Sequence, residues 1–404
     1  MKNKKKILLV FLAIIIALIL IVLGIKSLID YLRIKYAKIE VSLVQDLTLN
    51  FTEKKHVSDF INSINGNLIN DYIIDSTKIG DKSVSFEFIN DDGIKAHYTY
   101  TVSVVDKVPP VIWLGDSYSI TVGNNVDLTS KILCGDNEDS NPNKYIEGEY
   151  DYNTVGAYPL VFKATDRSGN ETKKEFVLYV NEKRDAVSNT NLTKTYTYFS
   201  DVIKTHKTEN TKIGIDVSVW QGDIDFEAIK NAGVEFIIIR VGGTYGTDGE
   251  YFVDSKFLNN IKKANEYNID VGIYFYSYAN SNEHAKRDAL WVIEQIKDYN
   301  VSLPIAFDWE NWNTFNDYHL SLFELTDMAN AFLKTLEEAG YKGMLYSSKS
   351  YLERLWMPIS YDIWLAHYTK KTNYEGDYSL WQLCNNGRVE GIEGEVDIDV
   401  MYLK

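Results

Sequence analysis

From residue 212 to its end, the chain alternates short apolar segments with amphipathic ones, and this alternation limits the folds open to it. Apolar runs predict strands at 235–241, 269–276, 303–307, 342–347, 362–366 and 379–383. Helix signals lie between them: Asp225 can cap one helix, and Ser321 with Glu324 forms a capping box for another. Strands that alternate with helices pack as a mostly parallel sheet. The sequence therefore predicts an α/β domain over residues 211–404.

Acidic residues follow several of these strands. Asp308 and Glu310 end one apolar strand at positions i and i+2, so their side chains point the same way. Asp216 ends another apolar run, and Asp397 and Asp399 share one face of a third. Buried acids are costly without a function, and glycosidic bond hydrolysis requires two carboxyl groups of different protonation. Acids at strand ends favour a barrel with its site on that face over an open sheet.

Five short motifs of this domain are similar, in order, to those of the family 25 glycoside hydrolases, the N-acetylmuramidases or lysozymes of bacteria and their phages. The motifs are Asp216-Val217-Ser218-Val219-Trp220-Gln221, Asp308-Trp309-Glu310, Trp364-Leu365-Ala366-His367-Tyr368, Trp381-Gln382 and Val396-Asp397. The resemblance covers residues 212–404. It implies an irregular β/α (TIM-like) barrel with fewer helices than a regular eightfold one. It also implies cleavage of the β-1,4 bond between N-acetylmuramic acid and N-acetylglucosamine.

The resemblance also assigns roles to the acids. Glu310 corresponds to the general acid, and nearby carboxylates would raise its pKa so that it holds a proton near neutral pH. Asp308 is then expected to stay ionised, orienting the substrate's acetamido group or stabilising the transition state. Asp216 and Asp397 match the family's other two acids. Because Asp399 has the same facing as Asp397, it is a further candidate for the wall of the site.

Aromatic and polar residues near these acids are candidates for sugar binding, because sugar rings stack their C–H faces on aromatic rings. Arg240 has two interpretations, a substrate contact or an ion pair with one of the acids. The predicted substrate-binding residues are Tyr276, Tyr346, Trp364, Tyr368, Trp381, Gln382, Arg240 and Asp399.

Other chemistries find little support in the sequence. The six histidines are scattered without zinc-ligand spacing, and no Gly-x-Ser-x-Gly motif occurs. The two cysteines, Cys134 and Cys384, lie far apart and give no disulfide framework. We therefore predict no metal and no cofactor. Two rivals remain: a catalytically silent peptidoglycan-binding surface protein that retains the barrel, and a chitinase-like barrel.

The N-terminus predicts a membrane anchor. Residues 7–25 are apolar and uncharged, and a helix of that length spans about 28 Å, close to the thickness of the hydrocarbon core. Lysines in the tail of residues 1–6 place this end in the cytoplasm and the rest outside the cell membrane, as a single-pass protein. A cleaved signal peptide is the competing interpretation, but a good cleavage site does not follow the apolar segment.

The middle of the chain predicts β-structure. Residues 39–107 and 108–181 alternate apolar and polar positions around turns at Asp91-Asp92-Gly93 and Asp166-Arg167-Ser168-Gly169-Asn170. The second segment resembles bacterial immunoglobulin-like modules, β-sandwiches of surface proteins, and the first is similar in pattern apart from a helical-looking insert near residues 56–65. Spacer and wall-glycan or partner binding are the open functions of both. Residues 182–210 are polar and predict a flexible linker.

Charge sets the expected partners. Residues 1–38 carry eight of the 42 basic residues, which leaves 34 basic against 56 acidic residues in the remainder. Such a body repels nucleic acid. The sequence as a whole predicts a multidomain, membrane-anchored, extracellular muramidase whose partners are peptidoglycan glycan strands and the membrane.

Overall fold

The computed structural model of the protein describes residues 2–183 and 194–403. The chain forms two compact units, Met1–Lys107 and Val108–Lys404. The first unit opens with the helix α1 (Lys2–Tyr36), which contains the whole predicted span of residues 7–25. Its segment Val10–Tyr36 has a mean hydropathy of 3.0 over its most apolar window and is unburied. By length and composition, α1 is therefore a candidate membrane-spanning helix.

The rest of the first unit is a small two-layer β structure, the first β module. A four-stranded sheet has the order β4-β5-β6-β2, and the pair β1–β3 packs on the cluster of apolar side chains that this sheet buries. The predicted helical insert near residues 56–65 is only a 3-10 turn, Val57–Phe60, because the chain then enters a strand. The strands are β1 (Val41–Leu43), β2 (Thr48–Asn50), β3 (Ile61–Ile64), β4 (Gly66–Leu68), β5 (Gly80–Asn90) and β6 (Lys95–Val105).

The second unit begins with a second β module of the same topology. Its sheet has the order β10-β11-β12-β8 beside the pair β7–β9, which is the arrangement of the first module strand for strand. Leu160, Phe162 and Ala164 alternate into its core, as the period of two predicts. The elements are β7 (Val111–Trp113), β8 (Ser117–Thr121), α2 (Leu128–Lys131), β9 (Leu133–Gly135), β10 (Asn143–Glu147), β11 (Gly156–Thr165) and β12 (Glu171–Asn181).

The remaining residues form a ring of strands. Its elements are β13 (Thr197–Tyr198), α3 (Phe199–His206), β14 (Thr211–Val217), α4 (Phe226–Asn231), β15 (Phe236–Thr244), β16 (Tyr251–Val253), α5 (Phe257–Glu266), β17 (Asp270–Tyr276), α6 (Asn282–Ile296), β18 (Ile305–Asp308), α7 (Phe315–Tyr318), α8 (Leu322–Glu338), β19 (Gly343–Ser348), α9 (Lys349–Leu352), β20 (Asp362–Ala366), β21 (Leu380–Arg388) and β22 (Val396–Tyr402).

The strand pairings close on themselves. β14, β15, β17, β18, β19, β20 and β21 lie side by side in parallel, and β22 runs antiparallel between β21 and β14. Phe236 and Ile238 belong to the cluster inside the ring, whereas Ile237 and Ile239 belong to the larger cluster that packs under the helices. This alternation follows from the period of a strand. All seven parallel strands therefore end at one rim, where the acids lie.

Helices cover only part of the ring. The predicted caps are present: Asp225 accepts a hydrogen bond from the Ala228 N–H, and Ser321 forms the capping box that begins α8. Beyond β19 there is one short helix, α9, and the described chain has no helix between β20 and β22. The rim beside these strands is therefore built by loops and by exposed strand ends.

The predicted linker, residues 182–210, differs from the structure at its C-terminal end. Strand β13 pairs with β21, and helix α3 buries Phe199 and Val202 in the core around the ring. These two apolar residues are three positions apart and so share one helix face, a short signal among polar residues. Residues 184–193 of the predicted linker lie outside the described residues. The structured part of the C-terminal domain thus begins before residue 211.

Candidate active site

A cleft of about 360 Å³ opens at the C-terminal rim of the parallel strands. The four predicted catalytic acids, Asp216, Asp308, Glu310 and Asp397, all line it. They come from β14, β18, the residues just after β18, and β22. The fold thus brings together acids that are up to 181 positions apart in the sequence. The side chain between two of them, Trp309, points away from the cleft and is fully buried.

Asp308 and Glu310 form a carboxyl pair. Asp308 is only 3% exposed. Among the described residues, no N–H or O–H group donates a hydrogen bond to its Oδ1, but its side chain interacts with the carboxyl group of Glu310, with which it can share a proton. Burial, and then the Glu310 charge, raises the pKa of Asp308 well above its usual range. Glu310 is exposed at the mouth of the cleft. The surrounding walls still desolvate its carboxyl group and raise its pKa, and the hydrogen bond with Asp308 offsets part of this rise.

The sequence predicts that Glu310 holds a proton and that Asp308 stays ionised. Burial is the first cause of the raised pKa of both carboxyl groups, and Asp308 lies deeper than Glu310. Raised pKa values at both positions favour a proton on the pair, which acid catalysis needs.

Asp216 and Asp397 form the opposite side of the floor. They face each other across β14 and β22 in the strand register. Burial raises the pKa of Asp216 well above its usual range, and the Asp399 charge adds to this effect. Burial, followed by the Asp216 charge, raises the pKa of Asp397 to about 8. This side of the cleft therefore also retains protons at neutral pH.

Asp399 was predicted to contact substrate, but it lies beneath the floor. It is fully buried, and its Oδ1 accepts a hydrogen bond from the Trp364 indole N–H at 2.8 Å. Asp399 follows Asp397 by two positions on β22, so its side chain points in the same direction but lies deeper in the ring. Asp399 therefore acts on the site through Asp216 and Trp364, and Asp397 is the acid that faces the cleft.

Gln382 connects three sides of the cleft. Its Nε2 donates to Asp216 Oδ2 at 2.8 Å, and its Oε1 accepts from the hydroxyls of Tyr346 at 2.9 Å and Tyr368 at 3.1 Å. These bonds fix the orientation of the amide, since the carboxylate accepts and the hydroxyls donate. Gln382, Tyr346 and Tyr368 all line the cleft, as predicted.

Trp381 was also predicted to line the cleft and does not. It is 2% exposed, its indole N–H donates to the His367 carbonyl at 2.9 Å, and its ring packs against His206 of α3. Neighbouring residues of a strand face opposite sides. With Gln382 facing into the ring, Trp381 must face outward, so the strand period alone could have excluded it.

Arg240 lies in the cleft wall and forms an ion pair with Asp254, a residue that the sequence analysis did not single out. The Nε–Oδ2 distance is 2.7 Å, and Asp254 is 3% exposed. Asp254 also accepts hydrogen bonds from the Val219 and Lys256 backbone N–H groups. Asp254 therefore holds the Arg240 guanidinium group in place. The positive charge of Arg240 lowers the pKa of Asp308 and so opposes the effect of burial.

Aromatic rings surround the acids. The predicted residues Tyr276 and Trp364 line the cleft, Tyr276 at its wall and Trp364 as a ring that is only 2% exposed. Two further aromatics do so as well. Tyr274 lies deeper on β17, and Trp220, in the motif that begins at Asp216, is 79% exposed at the rim. The exposed Trp220 ring therefore gives the rim of a polar cleft an apolar surface.

A second cavity of about 500 Å³ adjoins the cleft. It is lined by Ser347–Ser350 backbone and side chains, by Arg354 and by His367, and it shares Glu310, Tyr346 and Tyr368 with the first. The two cavities form one groove, and Glu310 lies where they meet.

Residues 215–392 match the family described as glycosyl hydrolases family 25. The autolytic lysozyme of Clostridium acetobutylicum is 26% identical over 189 residues, which cover 46% of this chain and 54% of that protein. Lysozyme M1 of Streptomyces globisporus is 28% identical over 207 residues, covering 46% and 65% of the two chains. The chain therefore spans between half and two thirds of the length of these relatives.

Among solved structures, the modular autolysin LytC from Streptococcus pneumoniae, in complex with a synthetic peptidoglycan ligand, is similar at 28% identity. The alignment covers 60% of this chain and 56% of that one, with a TM-score of 0.44.

Proposed function

We propose that the protein is a muramidase that hydrolyses peptidoglycan, and that residues 215–392, which match glycosyl hydrolases family 25, form most of its catalytic domain. The bond proposed is the β-1,4 linkage between N-acetylmuramic acid and N-acetylglucosamine. The observation that carries the proposal is the carboxyl pair of Asp308 and Glu310 at the junction of two cavities of one groove. An irregular TIM-like barrel is the fold that we propose for the closed ring of strands.

We assign the general acid role to Glu310. It is the more exposed carboxyl of the pair, so it can reach a glycosidic oxygen between sugars on its two sides. A bound sugar chain displaces water from Glu310 and raises its pKa further, which favours a proton on Glu310. Glu310 then protonates the departing oxygen as the bond to the sugar carbon breaks, and Asp308, ionised beside Arg240, stabilises the positive charge that develops on that sugar. A water molecule finally bonds to that carbon, and the proton it loses returns to the carboxyl pair.

The other polar residues prepare the site for this charge. Asp216 and Asp397 have raised pKa values and so add little negative charge until the substrate's developing positive charge favours their ionisation. Gln382 holds Asp216, Tyr346 and Tyr368 in one hydrogen-bonded group. We propose that Trp220, Tyr276 and Tyr368 stack against sugar rings.

Replacing Glu310 by Gln tests the function. The amide keeps the shape of the side chain and cannot donate a proton to the leaving oxygen, so we expect hydrolysis of purified sacculi to fall by at least about 10³-fold. Mass spectrometry of the fragments that the unaltered protein releases should find N-acetylmuramic acid at the reducing end. A matched control is Glu227→Gln, on helix α4, which should retain activity.

Two outcomes contradict the proposal. Full activity of Glu310→Gln would remove its role, and fragments ending in N-acetylglucosamine would assign another bond. If the unaltered protein binds sacculi in a zymogram without clearing them, the chain is the catalytically silent glycan-binding protein that the sequence left as the alternative.

We further propose that α1 anchors the protein in the cell membrane, with its lysine-rich start in the cytoplasm and the β modules and catalytic domain on the wall side. The apolar, uncharged run of residues 7–25 and the lysines before it support this arrangement. We propose that the two β modules, which share one topology, are both immunoglobulin-like.

A further inference from the structure

We propose that the second β module, β7–β12, is a positioning element of the catalytic site rather than a spacer alone. It holds the segment of residues 311–322, which directly follows Glu310. The inference rests on the proposed function, because the group it positions is the Asp308–Glu310 pair. Three sets of contacts between the module and this segment carry it.

The first contact set is formed by one side chain, Asn316 of helix α7. Its Oδ1 accepts a hydrogen bond from the Cys134 backbone N–H at 3.2 Å. Its Nδ2 donates to the carbonyl oxygens of Ser130 at 3.2 Å and Ile132 at 3.1 Å. A single amide thus uses both its donor and acceptor groups on the backbone of the module, which fixes the position and the orientation of α7.

The second contact set lies at the start of α8. The first N–H groups of a helix have no partner within the helix. Here the Leu322 N–H donates to the Asp136 carbonyl at 2.7 Å, and the Phe323 N–H donates to the Asn137 carbonyl at 3.3 Å. Gly135 of the module packs closely against the residues that lead into α8, since a Cβ atom on Gly135 would lie 2.9 Å from the Phe315 ring. The module backbone therefore completes the N-terminus of α8 at close approach.

The third contact set is a row of aromatic rings that reaches the catalytic pair. Trp113 of the module packs edge-on against Phe315 at 6.4 Å between ring centroids. Phe315 packs against Trp309 at 6.4 Å, and Tyr318 packs against the same indole at 5.1 Å. Trp309 is fully buried and donates its indole N–H to the Ala279 carbonyl at 3.0 Å.

Trp309 is the residue between Asp308 and Glu310. The indole ring is buried on one side of the backbone, and both carboxyl groups project from the other side. The packing of the ring therefore fixes the backbone that carries them. A shift of the 311–322 segment would move Trp309 and would change the separation of the two carboxyl groups. A misplacement of about 1 Å can lower an enzyme's rate by about 100-fold. The module therefore influences catalysis through the packing of one indole ring.

Variants of the module in the full-length chain test the proposal. Trp113→Ala removes the aromatic contact, Trp113→Phe restores most of it, and Asn316→Ala removes three hydrogen bonds from the barrel side. The control is Tyr179→Ala, an exposed residue of β12. Activity is measured on short, soluble glycan fragments, since a spacer affects only the reach towards an intact wall and not the hydrolysis of a freely diffusing substrate.

We expect Trp113→Ala and Asn316→Ala to lower kcat by roughly 10- to 100-fold with KM changed less than about threefold, and to shift the pH profile of kcat. Trp113→Phe should recover most of kcat, and Tyr179→Ala should match the unaltered protein. A kcat within about twofold of the unaltered protein for both Trp113→Ala and Asn316→Ala would overturn the proposal.

Amide hydrogen exchange without substrate separates this inference from the proposed function. Residues 311–322 should exchange faster in Trp113→Ala and Asn316→Ala than in Tyr179→Ala, even if the protein proves to hydrolyse nothing. Unchanged exchange of this segment in both variants would refute the positioning role independently of any activity. If Trp113→Ala or Asn316→Ala fails to fold, Trp113→Leu or Asn316→Asp replaces it. Trp113→Leu removes the aromatic contact, Asn316→Asp removes the amide donor, and both should shift exchange and kcat in the same direction.

Discussion

At the scale of single residues, the site places acids where their charge is costly. Asp216, Asp308 and Asp399 are each less than 10% exposed, and burial is the first cause of the raised pKa of every one of them. A carboxyl whose pKa is raised by folding favours the folded state only in its protonated form. The catalytic floor should therefore reduce the stability of the domain as the pH rises.

Asp397 gives this expectation a defined pH range. Its pKa is about 8 in the folded protein and about 3.9 in an unfolded chain, so its contribution to stability is full below pH 4 and is lost progressively up to pH 8. Asn cannot ionise, so Asp397→Asn should raise the Tm at pH 8 by on the order of 5–10 °C, and by little at pH 4. Thermal denaturation at both pH values measures this difference.

The control for Asp397→Asn is Asp223→Asn, whose side chain is 92% exposed. Its Tm difference from the unaltered protein should not vary between pH 4 and pH 8. If Asp397→Asn behaves in the same way as this control, the carboxyl of Asp397 is not destabilised by the floor of the cleft.

At the scale of elements, helix α3 extends the catalytic domain upstream. Its apolar face packs on the outer core of the ring, and its His206 ring contacts Trp381 at 5.4 Å. β13 adds a further strand edge beside β21. A segment with polar composition thus belongs to the barrel because two buried side chains and one strand pairing hold it there.

Phe199→Ala tests that membership. Phe199 is 2% exposed, and truncation of a buried Phe costs about 3–5 kcal/mol through lost burial and a cavity. We expect the Tm of the catalytic domain to fall by roughly 10 °C. Lys204→Ala, on the exposed face of the same helix, should change the Tm by about 1 °C or less, since surface ion pairs contribute little. Equal Tm values for the two variants would mean that α3 is not part of the barrel's cooperative unit.

At the scale of the whole molecule, the chain repeats one β topology before the catalytic ring. In both modules, one strand of the sheet pairs in parallel and the other pairings are antiparallel. The repetition shows that residues 39–107 and 108–181 form β modules of one topology.

Membrane anchoring predicts how the protein fractionates. Because residues 7–25 are apolar and uncharged and lysines precede them, the full-length chain should stay with membranes in high salt and at alkaline pH and dissolve only in detergent. Protease added to intact, wall-stripped cells should degrade the catalytic domain while a cytoplasmic marker survives. Release by alkaline treatment alone, or protection of the catalytic domain from protease, would contradict the proposed arrangement.

The sequence by itself determined the features that depend on local order. Strand and helix signals lie within a few residues of the observed elements, and the period of a strand correctly places Asp308 and Glu310 on one side. The capping residues Asp225 and Ser321 act as predicted. These features follow from rules that connect residues two to four positions apart, so no knowledge of the tertiary structure was needed.

Only the tertiary structure decided the features that depend on burial and on distant neighbours. Asp254 rather than one of the four predicted acids pairs with Arg240, and Asp399 lies beneath the cleft instead of in its wall. Burial also raises the pKa of Asp308. A pKa depends on the water and charges around a group, and both are set by chain segments far away in sequence. The same reason explains why the contact between the second β module and residues 311–322 has no signature in the sequence.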